Sequence, residues 1–301
     1  MKVHPDCFPC FFRQAVIALR LVTSDESRFE AVLKGIMPEL QKADLSKSPA
    51  HATTFMHRRI REILGLDPFK KVKADYNRLA MEACSGLSEF INSSPDPLFT
   101  SSRLAIAGNI IDFGIFTSID IGSTVKRALE GPIAHDDYDA FKKAVEEAAD
   151  ILYLVDNAGE IAFDRTLIET LKKMGKDVTV AVKGSPVLND ATMEDALETG
   201  ITEICRVVDN GSDCIGTILD MTSPEFRGIY DKAGLVISKG QGNFETLMDE
   251  KKQKNKNGNE NMFFLFQSKC EVVSNELGLP LKSMLLMQRG NGITDASCKS
   301  G

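Results

Sequence analysis

The sequence predicts an α/β protein: a three-layer α/β/α core with a mostly parallel sheet over residues 101–301, preceded by an all-helical region over residues 1–100. Two patterns carry this expectation. Before residue 100 apolar residues recur at three- and four-residue steps, the period of a helix with one buried face. After residue 150 short unbroken apolar runs alternate with amphipathic stretches, as in parallel strands covered by helices on both faces.

In the first region, Phe8, Phe11, Phe12, Ala15, Val16, Leu19 and Val22 mark a helix over 8–22. Pro9 is tolerated because it stands in the first turn, where its missing N–H has no partner to lose. Ser24 or Asp25 caps a second helix that runs to about residue 41. A third covers 50–64, up to the break at Gly65-Leu66-Asp67-Pro68, and a fourth covers 70–92, up to Ser93-Ser94-Pro95-Asp96-Pro97. In the second region the apolar runs 151–155, 178–182, 204–208, 235–237, 263–266 and 284–287 predict strands. Stretches 161–174, 190–199, 223–232 and 269–277 predict the helices between them, and the polar stretch 251–261 predicts a surface loop.

Composition narrows the function. With 43% apolar and 26% charged residues the 301-residue chain is ordinary globular material. It has 36 Lys+Arg against 43 Asp+Glu, a formal charge of −7, which argues against nucleic acid or a membrane surface as partner. A phosphate site would have to gather its positive charge locally. No apolar run approaches the roughly 20 residues of a membrane span. The N-terminal stretch also lacks the apolar core and small-residue cleavage site of a secretion signal. The seven Cys are odd in number and scattered, so reduced thiols in a cytoplasm are expected.

In an open parallel sheet, ligands bind beyond the carboxyl ends of the strands. Four consecutive predicted strands end in Asp156-Asn157-Ala158-Gly159-Glu160, Lys183-Gly184, Asp209-Asn210-Gly211 and Lys239-Gly240-Gln241-Gly242-Asn243. Asp, Asn and Gly also simply make turns. Their recurrence with two Lys points to a site. Carboxylate and carboxamide oxygens are hard donors suited to Mg²⁺ or Mn²⁺. None of the four His stands in these segments, which disfavours zinc or copper. Lys and glycine-rich backbone beside a hard cation suggest a phosphate oxyanion as guest. Neither a GxxxxGK[ST] loop nor a GxGxxG fingerprint after the first strand is present.

The motifs Gly108-Asn109-Ile110-Ile111-Asp112, Val155 to Glu160, Lys183 to Thr192 and Ser238 to Glu245 occur in the order seen in the metal-dependent damage-control phosphatases, which the chain resembles over nearly its whole length. Cys7-Phe8-Pro9-Cys10, Asp67-Pro68-Phe69-Lys70 and Lys269-Cys270 resemble the stand-alone archaeal and bacterial subgroup of that family. The resemblance implies a helical N-terminal part on an α/β core. It also implies hydrolysis of phosphate esters of small metabolites, sugar phosphates or damaged by-products, with a divalent metal. The oxygen donors lead one to expect Mg²⁺ or Mn²⁺ there, with Co²⁺ or Ni²⁺ as further options. By the same resemblance, Asp156, Asn157 and Asp190 hold the metal.

As ligands in that scheme Asp156 and Asp190 are catalytic, and Lys239 is expected to neutralise charge developing on the phosphoryl oxygens, with Lys183 as a second candidate. Gly108, Asn109, Asp112, Gly159, Glu160, Lys183, Gly240, Gln241, Gly242 and Asn243 are the expected substrate-binding positions. Asn109 and Asp112 can equally cap a helix. Cys7, Cys10 and Cys270 form a possible second metal or redox site, with His4 a weaker fourth ligand; the plain alternative is small buried side chains. Two rival functions are an S-adenosylmethionine-dependent carboxyl methyltransferase and a non-catalytic metal- or ligand-binding protein. The sequence leaves the natural substrate and the oligomeric state open.

Overall fold

The computed structural model describes residues 1–108, 126, 129–250 and 261–290. Over residues 1–108 the described chain forms α1 (Cys7–Arg20), α2 (Glu26–Lys42), α3 (Pro49–Leu64), α4 (Lys70–Cys84), α5 (Leu87–Ser93) and α6 (Pro97–Gly108). Local signals set their ends. Asp25 caps α2 by accepting the Ser27 N–H at 2.9 Å, and Ser48 caps α3 by accepting from His51. The helix expected over 70–92 is two helices instead. Gly86 adopts φ 85°, a left-handed conformation that a continuous helix cannot accommodate.

The α/β region then runs β1 (Ile133–Asp136), α7 (Tyr138–Glu147), β2 (Asp150–Leu154), α8 (Glu160–Lys173), β3 (Asp177–Val182), α9 (Met193–Glu198), β4 (Arg206–Asp209), α10 (Pro224–Lys232), β5 (Leu235–Lys239), α11 (Gln241–Leu247), β6 (Met262–Gln267), α12 (Glu271–Leu277) and β7 (Met284–Gln288). The sheet order is β1-β7-β6-β5-β2-β3-β4. All neighbours are parallel except β6 and β7, which are antiparallel. The mostly parallel α/β sheet expected from the sequence is present. β1, α6, α7 and α11 are additions that the apolar pattern did not announce.

Side-chain alternation along β2 divides the core into two layers. Ile151 and Tyr153 pack with Ile161, Leu167 and Leu171 of α8 on one face. Leu152 and Leu154 pack with Phe226 and Tyr230 of α10 and Phe244 of α11 on the other. A third cluster lies inside the helical region, where Phe11, Ala15 and Leu19 meet Ile36, Met56 and Ile60, with Leu188 and Val272 of the α/β region packed against it. The helical region therefore sits on the loops at the carboxyl end of the sheet. Polar ties fasten it there. The Ile215 N–H donates to Thr54 Oγ1 at 3.0 Å, Arg61 Nη2 meets Asp213 at 2.6 Å, and Lys73 Nζ meets Asp195 at 2.7 Å.

His57 of α3 is buried with its Nε2 3.1 Å from Gln14 Oε1 of α1. Burial, reinforced by the Arg61 charge, lowers its pKa to about 3. The unfolded chain thus binds this proton below about pH 6.5 while the folded chain refuses it down to about pH 3. The His57 contribution to stability falls by up to about 1.4 kcal/mol per pH unit across that window. His57→Gln is expected to flatten this part of the acid loss. The check is the wild-type minus variant difference in Tm between pH 7 and pH 4.5; an unchanging difference would refute it.

Candidate active site

Asp156 and Asn157 leave the end of β2 near the middle of the sheet, and the segment after β3 returns to meet them. Asn157 and Asp190 form an antiparallel bridge. The Ala158 N–H donates to the Asn189 carbonyl and the Ala191 N–H to the Asp156 carbonyl, each at 2.8 Å. Two segments distant in sequence are thereby locked side by side, and the expected residues Asp156, Asn157 and Asp190 are brought together. Asn157 Nδ2 donates to Asp156 Oδ2 at 2.7 Å and to Glu160 Oε2 at 3.3 Å.

The electrostatics are those of crowded, buried carboxylates. Burial, then the Glu160 and Asp190 charges, hold the Asp156 pKa well above the usual carboxylate range, with Lys269 and Lys183 pulling the other way. Burial also raises the Asp190 pKa, opposed chiefly by Lys183. Lys183 is itself buried, donates to the Gly216 carbonyl, and lies 3.4 Å from Asp190 Oδ2. That oxygen has no hydrogen-bond partner among the described residues.

Gly240 makes this packing possible. Its φ of 81° and ψ of 158° lie where side chains are not tolerated, and a Cβ would stand 2.0 Å from Asp156 Cγ. The glycine therefore makes room for the Asp156 carboxylate. Asn243 turns inward: its Nδ2 donates to the Lys239 carbonyl at 2.8 Å and the Val155 carbonyl at 3.2 Å, bracketing β2 and β5 rather than facing a ligand.

Lys239 is placed differently from the sequence expectation. It is fully buried, and its ammonium donates to Glu160 Oε1, to Asp164 Oδ1 at 2.5 Å and to the Ala105 carbonyl at 2.9 Å. All three N–H donors are engaged, so none is free for a phosphoryl oxygen. The physical reason is strand alternation. Lys239 shares a face with Ile237, and that face is covered by α6 and α8. Glu160 is likewise buried and faces Lys239 and Asn157. Gly108 is buried where α6 crosses α8, where a Cβ would meet Phe163 Cβ at 2.9 Å. The Gly159 N–H is taken by Asn77. Asn109 and Asp112 lie outside the described residues.

A cavity of about 530 Å³ opens between the helical region and this end of the sheet. Cys7, Cys10 and Cys270 all line it, as do Arg13, Gln241, Gly242, Glu245 and Lys269. Gln241 ties the wall together: its Nε2 donates to Glu245 Oε1 at 2.8 Å and its Oε1 accepts the Lys269 N–H at 2.9 Å. Burial raises the Glu245 pKa to about 7. The three cysteines are free thiols, and burial raises the pKa of Cys7 and of Cys270. Among the described residues no three His, Cys, Asp or Glu side chains are arranged as a ready-made metal site.

Sequence reasoning missed several members of the site. Asn77 of α4 accepts the Gly159 N–H at 2.8 Å and donates to Asp195 at 2.9 Å, joining the helical region to the loop that carries Asp156. Arg13 and Lys269 supply positive charge at the cavity. Lys269 stands in a quoted motif, but only the fold shows that it influences Asp156.

A family model described as the damage-control phosphatase ARMT1-like domain matches residues 3–285. A protein of Methanocaldococcus jannaschii is 35% identical, with 96% of each chain covered. A damage-control phosphatase of Archaeoglobus fulgidus is 31% identical, covering 95% of this chain and 98% of its own. The crystal structure of a DUF89 family protein from Pyrococcus horikoshii superposes with a TM-score of 0.86 at 30% identity, over 96% of this chain and 99% of the other. With a family model that spans nearly the whole length, and relatives above 30% identity matched end to end, the chain belongs to the damage-control phosphatase ARMT1-like family.

Proposed function

We propose that this protein is a divalent-metal-dependent phosphatase that hydrolyses phosphate esters of small metabolites. The observation that carries the reading is the pairing of the Asp156-Asn157 and Asn189-Asp190 segments. It gathers two carboxylates and a carboxamide beyond the strand ends. The cavity at this end of the sheet is lined not by these three residues but by neighbours such as Leu188, Gln241 and Gly242, and it carries Arg13 and Lys269 together with Asp6, Glu245 and Glu271. The relatives named damage-control phosphatase support the reaction type.

The donor set fits a hard cation. Asp156, Asn157 and Asp190 offer oxygen ligands of the type that Mg²⁺ and Mn²⁺ prefer. The buried Asp190 Oδ2, which faces Lys183 at 3.4 Å without a hydrogen bond among the described residues, could take a positive ion, which would also relieve the mutual repulsion of Asp156, Glu160 and Asp190. Bound there, the ion would polarise the phosphoryl group and acidify a water. The chain's own residues do the rest. Lys183 and Lys269 receive charge that builds on the phosphoryl oxygens, the role first given to Lys239. The partly apolar cavity wall, with Phe11, Leu188 and Ile215, holds the alcohol portion and limits water.

The test is phosphate release from p-nitrophenyl phosphate and a panel of sugar phosphates by chelator-treated protein, with Mg²⁺, Mn²⁺, Co²⁺ or Ni²⁺ restored. Metal-stimulated hydrolysis is expected; no stimulation across the panel would overturn the proposal. The thiols are not required for this chemistry. Cys7→Ser combined with Cys10→Ser is expected to keep most of the turnover number in a cold assay with added Mn²⁺. A folded but inactive double variant would place the thiols in the reaction.

A further inference from the structure

We propose that Lys239 is a positioning residue, which aligns the metal-ligand loop by holding one oxygen of Glu160 so that the other is presented to Asn157. The inference rests on the metal-dependent reading above. It begins from the cost of the arrangement. An ammonium buried without exposure at the centre of a sheet is expensive unless every donor is matched. Here the matching is complete: Glu160 and Asp164, one turn apart on α8, and the Ala105 carbonyl of α6 take all three N–H groups. Tyr153 Oη donates to the same Asp164 oxygen at 2.8 Å.

Such a network is a poor source of stability, because apolar side chains of similar volume do the same job without desolvating charge. Its geometry shows another use. The Glu160 carboxylate divides its oxygens: Oε1 accepts from Lys239, and Oε2 accepts from Asn157 Nδ2, which also donates to Asp156 Oδ2. A chain of contacts thus runs from Lys239 through Glu160 to two proposed ligands. With Lys239 fixed by the sheet on one side and α6 on the other, the Glu160 rotamer is fixed, and with it the Asn157 carboxamide. Asp164 takes a second contact with Lys239 and, among the described residues, no hydrogen bond joins it to the ligand loop. It is the internal control. Partners one step removed from a metal typically change affinity by about 10–100-fold when altered.

The experiment compares Mn²⁺ binding by titration calorimetry with the paramagnetic resonance spectrum of the bound ion, using full-length protein. Lys239→Met alone strands two buried carboxylates and invites unfolding, so it is paired with Asp164→Asn, which keeps the acceptor for Tyr153 and leaves net charge unchanged. The double variant, folded by circular dichroism, is expected to bind Mn²⁺ about 10–100-fold more weakly, with an altered resonance spectrum. Asp164→Asn alone is expected to bind like wild type, and Lys239→Arg to recover most of the loss. A folded double variant with wild-type affinity and spectrum would overturn the proposal. So would an Asp164→Asn variant as weak as the double, because the effect would then be general to the network. Should the double variant not fold, Glu160→Gln decides: it keeps the side chain's size but removes the charge that Lys239 holds and that Asn157 faces, and wild-type affinity and spectrum would overturn the proposal. Absence of Mn²⁺ binding by the wild type would instead remove the metal-dependent reading itself.

Discussion

Asp156→Asn is expected to abolish metal-stimulated phosphate release by several orders of magnitude while leaving the metal-free fold as stable as before, or slightly more so. The substitution keeps size and shape but withdraws one unit of charge from a hard-cation site, so Mn²⁺ affinity falls with turnover. The stability side follows from the metal-free electrostatics. Asp156 is buried and crowded by Glu160 and Asp190, which is why its pKa is held high. Neutralising it removes repulsion that folding otherwise has to overcome. Two measurements check this: hydrolysis at saturating metal, and Tm with chelator present. Near-wild-type hydrolysis would exclude Asp156 as a ligand, and a large drop in chelated Tm would make its role structural.

Gly240→Ala is expected to damage both fold and activity. The backbone at φ 81° and ψ 158° is itself hostile to a side chain, by about 1–3 kcal/mol. The added methyl would also overlap the Asp156 carboxyl carbon at 2.0 Å, so the carboxylate or the start of α11 must move. The expected outcome is a Tm several degrees lower, with Mn²⁺ affinity lost even where protein remains folded. Gly175→Ala is the comparison. It shares a positive φ of 79° but has open space around its Cβ, so it should lose some stability and keep metal binding. Equal losses of metal binding in the two variants would refute the steric account.

What the sequence discloses and what it conceals follow from range. The runs at 151–155, 178–182 and 235–237 read clearly as strands because central parallel strands are apolar on both faces. Ile133–Asp136 was invisible because it is a short edge strand whose residues alternate between half-buried and exposed. Asp156 and Asn157 stand at a strand end, where such sheets bind ligands, whereas Asp190 joined them in the expectation through the family resemblance; the structure places the three side by side. Lys239 stands at the same kind of end, yet a sequence does not say whether the last side chain points out of the sheet or into a flanking layer. Asn77 was beyond reach altogether: its partner Gly159 lies on another element, and only the packing of α4 on α8 introduces them. The apolar spacing across Ser85-Gly86 is compatible with one long helix, so the break into α4 and α5 depended on a backbone angle that no periodicity records.

The ties that run from α3 and α4 into the loops at Asp213 and Gly159 and into α9 at Asp195 make a poor hinge. A roof fastened at three places to the floor it covers selects guests by their fit to a standing shape, not by closing around them. It also assigns recognition and bond-breaking to separate stretches of chain. Arg13 and Phe11 stand on the first helix, whereas Asp156, Asn157 and Asp190 stand on loops beyond the ends of β2 and β3. On the proposed reading, changes at the first helix would retune which guest is accepted and leave the metal ligands as they are.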